Sequence, residues 1–143
     1  MAEKLSDRLR QIVDALPLRP GLRILEVGCG PGAMAREMAR RLEGRGHVLA
    51  IDRSATAIAQ AKTGSPDEMA DGTLSFRQST AEDFVLAPGE APFDLAIAVR
   101  VGALDGRHPE AGVLARAAIK AALKPGGKLF IDGGNPLRQI PLE

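Results

Sequence analysis

The stretch from Arg23 to Gly44, RILEVGCGPGAMAREMARRLEG, most constrains what this chain can fold into. Ile24, Leu25 and Val27 make an apolar run of strand length, broken at once by Gly28, Gly30 and Gly32. Beyond the glycines, Met34, Ala35, Met38, Ala39 and Leu42 recur at intervals of three and four, the period of one helix face. A strand, a glycine turn and a helix in direct succession open a βαβ unit, which commits the chain to a parallel sheet. Glycines at the turn also let the backbone come close to whatever lies over it.

The rest of the chain repeats the alternation. Leu5, Leu9, Ile12, Val13 and Leu16 predict an amphipathic helix over 3–16, ended by Pro17 and Pro20. HVLAID (47–52) reads as a second strand, and Ser54 caps a helix from Ala55 to about Lys62. Residues 64–72 read as a loop or frayed helix end, TLSFRQ (73–78) as a third strand, and Ala81 to Phe84 as a helical turn. FDLAIAV (93–99) is nearly all apolar, as a strand buried on both faces should be. Pro109 opens a helix with Val113, Leu114, Ala117, Ala121 and Leu123 as its core face, and Pro125-Gly126-Gly127 turns into a fifth strand over 128–132. The expected fold is α/β: a Rossmann-like, doubly wound sheet of five parallel strands in the order 3-2-1-4-5, with helices on both faces and an N-terminal helix. In such sheets ligands bind beyond the carboxyl ends of the strands, beside the first strand, where the glycine turn lies.

Composition narrows the partners. With 143 residues the chain is the size of one domain, expected over 1–143 with 134–143 as a short tail. Its 19 basic and 18 acidic residues leave no surplus to grip nucleic acid or an anionic membrane, and Arg36, Arg40, Arg41 and Arg45 read as a solvated helix face. The single cysteine, Cys29, excludes a disulfide framework and a thiolate metal site. No apolar run has signal-peptide or membrane-span length, so a cytoplasmic setting is expected. Leu142-Glu143 is compatible with a cloning remnant and is given no structural role.

Gly28, Gly30 and Ala33 satisfy the loose dinucleotide pattern G-x-G-x-x-G/A, so a nicotinamide or flavin has to be weighed. Glu26, at the strand end, argues against it. A charge pair about 5 Å apart at an effective dielectric near 20 contributes roughly 3 kcal/mol, repulsive for a pyrophosphate and attractive for an ammonium. Asp52 closes the second strand, where an acid accepts ribose hydroxyls in either nucleotide class; it discriminates against a 2′-phosphate even with Arg53 adjacent. A nucleotide without phosphates but with an α-amino group suits Glu26 and the glycines together, and S-adenosylmethionine is such a molecule.

LEVGCGPG (25–32), followed by Asp52, STAEDF (79–84), FDLAIAVRVGAL (93–104), HPEAG (108–112) and LKPGGKLFID (123–132), resembles the motif series of class I S-adenosylmethionine-dependent methyltransferases over about residues 1–134. The resemblance implies that Glu26 and the turn Gly28-Cys29-Gly30, closed by Gly32, receive the methionine portion of the cofactor. It implies that Asp52 takes the ribose hydroxyls, that Ala81 lies at the adenine edge through its backbone, and that Arg100 faces methionine and substrate. Arg53 stands where the family often has an apolar residue packing on adenine, and Thr80 where it often has Asp. Plainer roles stand beside these: Glu26 capping the following amides, Asp52 an exposed strand-end acid, the glycines a tight turn, Cys29 a small filler. The family's sheet usually continues past the fifth strand into an antiparallel hairpin. Here Pro136 and Pro141 oppose a long strand, so the fifth strand is expected to be exposed or covered by a second copy in a homodimer.

Methyl transfer from a sulfonium is an in-line displacement that depends mainly on orientation. A general base matters only where the acceptor must lose a proton, and Asp105 and His108, after the fourth strand, are the candidates; His108, preceding Pro109, also reads as a helix-entry residue. No Asn/Asp-Pro-Pro-aromatic sequence follows that strand, which argues against methylation of base amino groups and glutamine amides. A small-molecule acceptor is expected, with a carboxylate near Arg100 unless Arg100 only neutralises Asp105 or Glu82. No metal is expected. The rival readings are a non-catalytic cofactor-binding or interaction module and an NAD-dependent oxidoreductase.

Overall fold

The computed structural model describes residues 4–142; Met1 to Glu3 and Glu143 lie outside the described residues, and with them the expected helix start at Glu3 and half of the terminal dipeptide. Element order is α1 (Asp7–Ala15), β1 (Arg23–Val27), α2 (Ala33–Arg41), β2 (His47–Asp52), α3 (Ala55–Thr63), α4 (Pro66–Ala70), β3 (Leu74–Gln78), β4 (Phe93–Ala98), α5 (Pro109–Ala122), β5 (Leu123–Asp132) and β6 (Leu137–Ile140). The helix expected from residue 3 begins at Asp7, because the Ser6 hydroxyl accepts the Leu9 amide and caps it.

The sheet runs β3-β2-β1-β4-β5-β6, its first five strands parallel. This is the Rossmann-like doubly wound order, with one strand more than expected. β6 pairs antiparallel with β5, Ile131 opposite Arg138 and Asp132 opposite Leu137. The segment read as a tail therefore covers the edge that was expected to stand open. Pro136 and Pro141 flank the four-residue strand rather than interrupt it, as prolines at an edge do. Residues 66–70, within the segment read as a loop or frayed helix end, form a short helix of their own with Pro66 in its first turn.

Strand residues alternate between two cores. Ile24, Val48, Ala50, Leu74, Phe76 and Ile97 pack under α1, α2 and α3, while Leu25, Val27, Leu49, Ile51, Ala96 and Leu129 pack under α5. The face of α5 differs from the expected one: Gly112, Ala115, Ile119 and Ala122 are buried, whereas Val113 and Leu114 are 60% exposed. Small residues let this helix lie close to the loop after β4; a Cβ on Gly112 would stand 2.5 Å from the Ala103 carbonyl oxygen. The arginine row of α2 is also not uniformly solvated. Arg36 is buried and donates to the Pro31 carbonyl and the Ser65 hydroxyl, both at 3.0 Å, tying the glycine turn to α4.

Candidate functional site

Strand order reverses between β2-β1 and β4, and a cavity of about 850 Å³ opens there at the carboxyl ends of the strands. It brings together Gly28, Asp52, Arg53, Thr80, Ala81, Arg100 and His108. Glu26, Cys29, Gly30, Gly32 and Asp105 do not line it.

The turn after β1 has settled its own hydrogen bonds. Gly28 and Cys29 donate their amides to the Ile51 carbonyl at 2.8 and 3.0 Å, and Gly32 donates to the Cys29 carbonyl at 3.1 Å. Gly30 donates to Asp52 Oδ2 at 2.9 Å, while Asp52 Oδ1 accepts the Ser54 amide at 2.9 Å. Pro31 has no amide to give. The turn is thus not a nest of free N–H groups awaiting an anion, and Glu26 has no amide of the turn left to cap. Asp52 keeps acceptor capacity, since each carboxylate oxygen carries a second lone pair. Two glycines are sterically required. Gly28 has φ 77°, and a Cβ there would meet Val101 Cγ2 at 2.7 Å; Gly32, with φ 92°, would meet Ala61 and Phe76 at 3.2 Å. Nothing lies within 4 Å of a Cβ built on Gly30.

Glu26 is 3% exposed, and its Oε1 has no hydrogen-bond partner. Burial pushes its carboxyl up to about 8, the neighbouring Asp52 charge adds to the rise, and Arg36 opposes it. Burial and the Asp52 charge together outweigh Arg36, so the carboxyl is held neutral in the ligand-free fold. Burial and the same two acids raise the Cys29 thiol far above its ordinary range, so it is no thiolate; it is a small buried side chain in the turn.

The other wall follows β4. Arg100 adopts φ 57°, a left-handed backbone that costs a side-chain-bearing residue about 1–2 kcal/mol. Asp132 at the end of β5 accepts its amide at 3.0 Å, and Arg107 donates to its carbonyl at 3.2 Å. Asp132 also accepts from Arg8 of α1 at 2.7 Å. His108 enters α5 without capping it, its ring over Gly102, where a Cβ would stand 2.6 Å from His108 Cδ2. Asp105, expected beside His108 as a proton acceptor, is committed elsewhere: both oxygens accept from Arg107 Nε, at 3.0 and 2.8 Å, and Arg107 holds its carboxyl below the usual range. Arg100 pairs with neither Asp105 nor Glu82 through its side chain among the described residues. Sequence reasoning missed Arg107, Val101 and Gly102, all on the cavity wall. Gly102, in the stretch between the fourth strand and the helix opened by Pro109, was the one signal available for them.

Thr80 and Ala81 form the floor beyond β3. Thr80 Oγ1 accepts the Asp83 amide at 3.1 Å, and Ala81 is buried. Among the described residues no three His, Cys, Asp or Glu side chains stand together as metal ligands, and no helix is long and apolar enough to cross a membrane.

Residues 24–127 match the model of a family described as "Methyltransferase domain". The chain is 37% identical over 125 residues to a protein-L-isoaspartate O-methyltransferase of Methylorubrum extorquens, covering 87% of this chain and 47% of that protein. It is 35% identical over 111 residues to a ubiquinone biosynthesis O-methyltransferase of Caulobacter vibrioides, covering 78% and 40%. The chain thus spans about half the length of the curated relatives it matches. Among solved structures it is similar to a SAM-dependent methyltransferase of Geobacter sulfurreducens in complex with S-adenosyl-L-homocysteine, with TM-score 0.66 and 26% identity, covering 90% of this chain and 48% of that one.

Proposed function

The chain belongs to the class I S-adenosylmethionine-dependent methyltransferase family, and from that premise we propose that residues 1–143 form one domain that binds S-adenosylmethionine and transfers its methyl group to a small-molecule acceptor. One observation carries this reading: the turn after β1 has spent the amides of Gly28, Cys29, Gly30 and Gly32 on its own fold, while Glu26 Oε1 lies buried and unpartnered beside it. A pyrophosphate needs the amides. A cationic, phosphate-free nucleotide needs the acid. These residues fit the second guest and argue against a nicotinamide coenzyme.

In this proposal Glu26, with the carbonyls of the turn, receives the ammonium of the methionine portion. Asp52 accepts the ribose hydroxyls on its remaining lone pairs, fixed in place by Gly30 and Ser54. Arg53 and Ala81 flank the base, with Thr80 at its edge. The bound cofactor supplies a methyl on a positively charged sulfur, already activated for displacement. The protein's part is orientation, which contributes several kcal/mol, up to ~7–11 in favourable cases. His108 faces the same cavity and is positioned to take a proton from an acceptor that must lose one. Asp105 serves as a positioning residue, holding Arg107 against the Arg100 carbonyl. The cytoplasmic setting belongs to the proposal as well. A homodimer would have to form through an edge strand, β3 or β6, or through a helix face, since β5 is already paired on both sides.

Thermal unfolding with S-adenosylmethionine, S-adenosylhomocysteine and NAD tests the binding. A ligand at 100 times its Kd stabilises the native state by about 2.7 kcal/mol, so the first two should raise Tm and NAD should not. Acceptor-dependent release of S-adenosylhomocysteine from a panel of small molecules then tests the transfer. Binding without turnover would identify a non-catalytic module instead.

A further inference from the structure

A second cavity, of about 410 Å³, opens at the ends of β4 and β5 and shares Arg100 and Arg107 with the first. Its charged lining is Arg100, Arg107, Arg138, Asp105 and Asp132. Both acids are already engaged. Asp105 is occupied by Arg107 at 2.8 Å; Asp132 gives one oxygen to Arg8 at 2.7 Å and the other to the Arg100 amide at 3.0 Å. The guanidinium groups of Arg100 and Arg138 have no hydrogen bond or ion pair among the described residues. Two positive charges therefore face one small space without a counter-charge.

Neither arginine is there by default. Arg100 is held in a left-handed backbone from both sides, by Asp132 on its N–H and Arg107 on its carbonyl, a conformation that any ordinary solvent-facing arginine would avoid. Arg138 reaches the cavity because it is the second residue of β6, which leaves the β5–β6 turn at the carboxyl ends of the parallel strands. Its Nε stands 3.8 Å from where a Cβ on Gly133 would be, so its head lies over the turn between β5 and β6.

We propose that this cavity is an anchoring subsite for an oxyanion, a carboxylate or phosphate group, on the methyl acceptor, held between Arg100 and Arg138. The word acceptor rests on the methyltransferase reading; the anion subsite itself does not. A guanidinium presents a planar fork of donors that matches such a group. Because Arg100 and Arg107 line both cavities, an acceptor anchored by its anionic end in the smaller one is placed beside the larger.

The test is NMR titration of the full chain, at low salt and saturated with S-adenosylhomocysteine, using benzoate, phenyl phosphate and neutral benzamide as probes. Benzoate or phenyl phosphate should shift the Arg100 and Arg138 side-chain signals saturably, and benzamide should not; which anion binds more tightly distinguishes carboxylate from phosphate. Arg100→Gln and Arg138→Gln should each weaken anion binding at least fivefold, Arg138→Lys less, and Arg45→Gln, at the opposite end of the sheet before β2, not at all, with melting curves checking that each variant folds. Absence of saturation, or equal weakening in Arg45→Gln, overturns the proposal by reducing it to a diffuse field. If anions bind while S-adenosylhomocysteine leaves wild-type Tm unmoved, the methyltransferase reading fails and the subsite stands; the reverse result removes only the subsite.

Discussion

Asp52 Oδ2 accepts the Gly30 amide at 2.9 Å, joining the acid at the end of β2 to the middle glycine of the turn after β1. The proposed ribose acceptor and the loop beside it are therefore one mechanical unit. A substitution at Asp52 acts on both.

Asp52→Ala should accordingly do two things. It removes two hydrogen bonds to a charged acceptor, from the Gly30 and Ser54 amides, each of a kind that contributes about 1.5–3 kcal/mol, so Tm should fall while the fold persists. Affinity for S-adenosylhomocysteine should fall at least tenfold by calorimetry. Unchanged affinity would falsify the ribose role whatever happens to Tm.

Glu26→Gln should raise the stability of the ligand-free protein. The wild-type carboxyl is raised from 4.5 to about 8 in the fold, so its favourable contribution is complete below the unfolded value and is lost as pH climbs towards 8. At about 1.4 kcal/mol per pKa unit, the loss reaches roughly 5 kcal/mol by the upper end. Melting from pH 5 to pH 8 should show the variant gaining on wild type at each step. The same variant should bind S-adenosylhomocysteine more weakly. A gap that stays constant with pH would show that Glu26 is ionised in the fold.

Gly28→Ala should be the most damaging small substitution in the turn. It forces alanine into φ 77° and drives a methyl to 2.7 Å from Val101 Cγ2. Left-handed strain of about 1–2 kcal/mol adds to overpacking of about 1–3 kcal/mol. Gly30→Ala, which carries the strain but meets no atom within 4 Å, is the control and should lose less by urea unfolding. Equal losses would mean that Val101 gives way freely.

Asp132→Asn should loosen the 100–108 loop. Asp132 holds the Arg100 amide and the Arg8 side chain, so its charge links α1, β4 and β5. Hydrogen exchange in residues 100–108 should quicken while the amides of β1 and β2 keep their protection. Uniform quickening throughout the sheet would point instead to global destabilisation.

Where apolar period and length agree, the sequence was sufficient: β1, β2 and β4 are runs buried on both faces, read to within a residue, with β4 ending at Ala98 where 93–99 was expected. The strand-end positions of Asp52 and Arg100 come with them. What could not be read depends on partners distant in sequence. Residues 137–140 are a strand only because β5 offers them an edge, and nothing in LRQI itself demands it. The Asp105–Arg107 pair is local, yet its meaning lies in the Arg100 carbonyl that Arg107 also holds. Arg36 reads as one more surface arginine until Pro31 and Ser65 are seen to enclose it. In α5, counting large apolar residues selected Val113 and Leu114, whereas the sheet side, apart from Ile119, is set by glycine and alanine, whose value is closeness rather than area.

Arg100 and Arg107 line both chambers at once. A guest that shifts them from one side changes the room available on the other, and by linkage the effect runs back with equal size. Order of arrival would then matter in kinetics but not at equilibrium, where the free energy of filling both chambers is the same along either route.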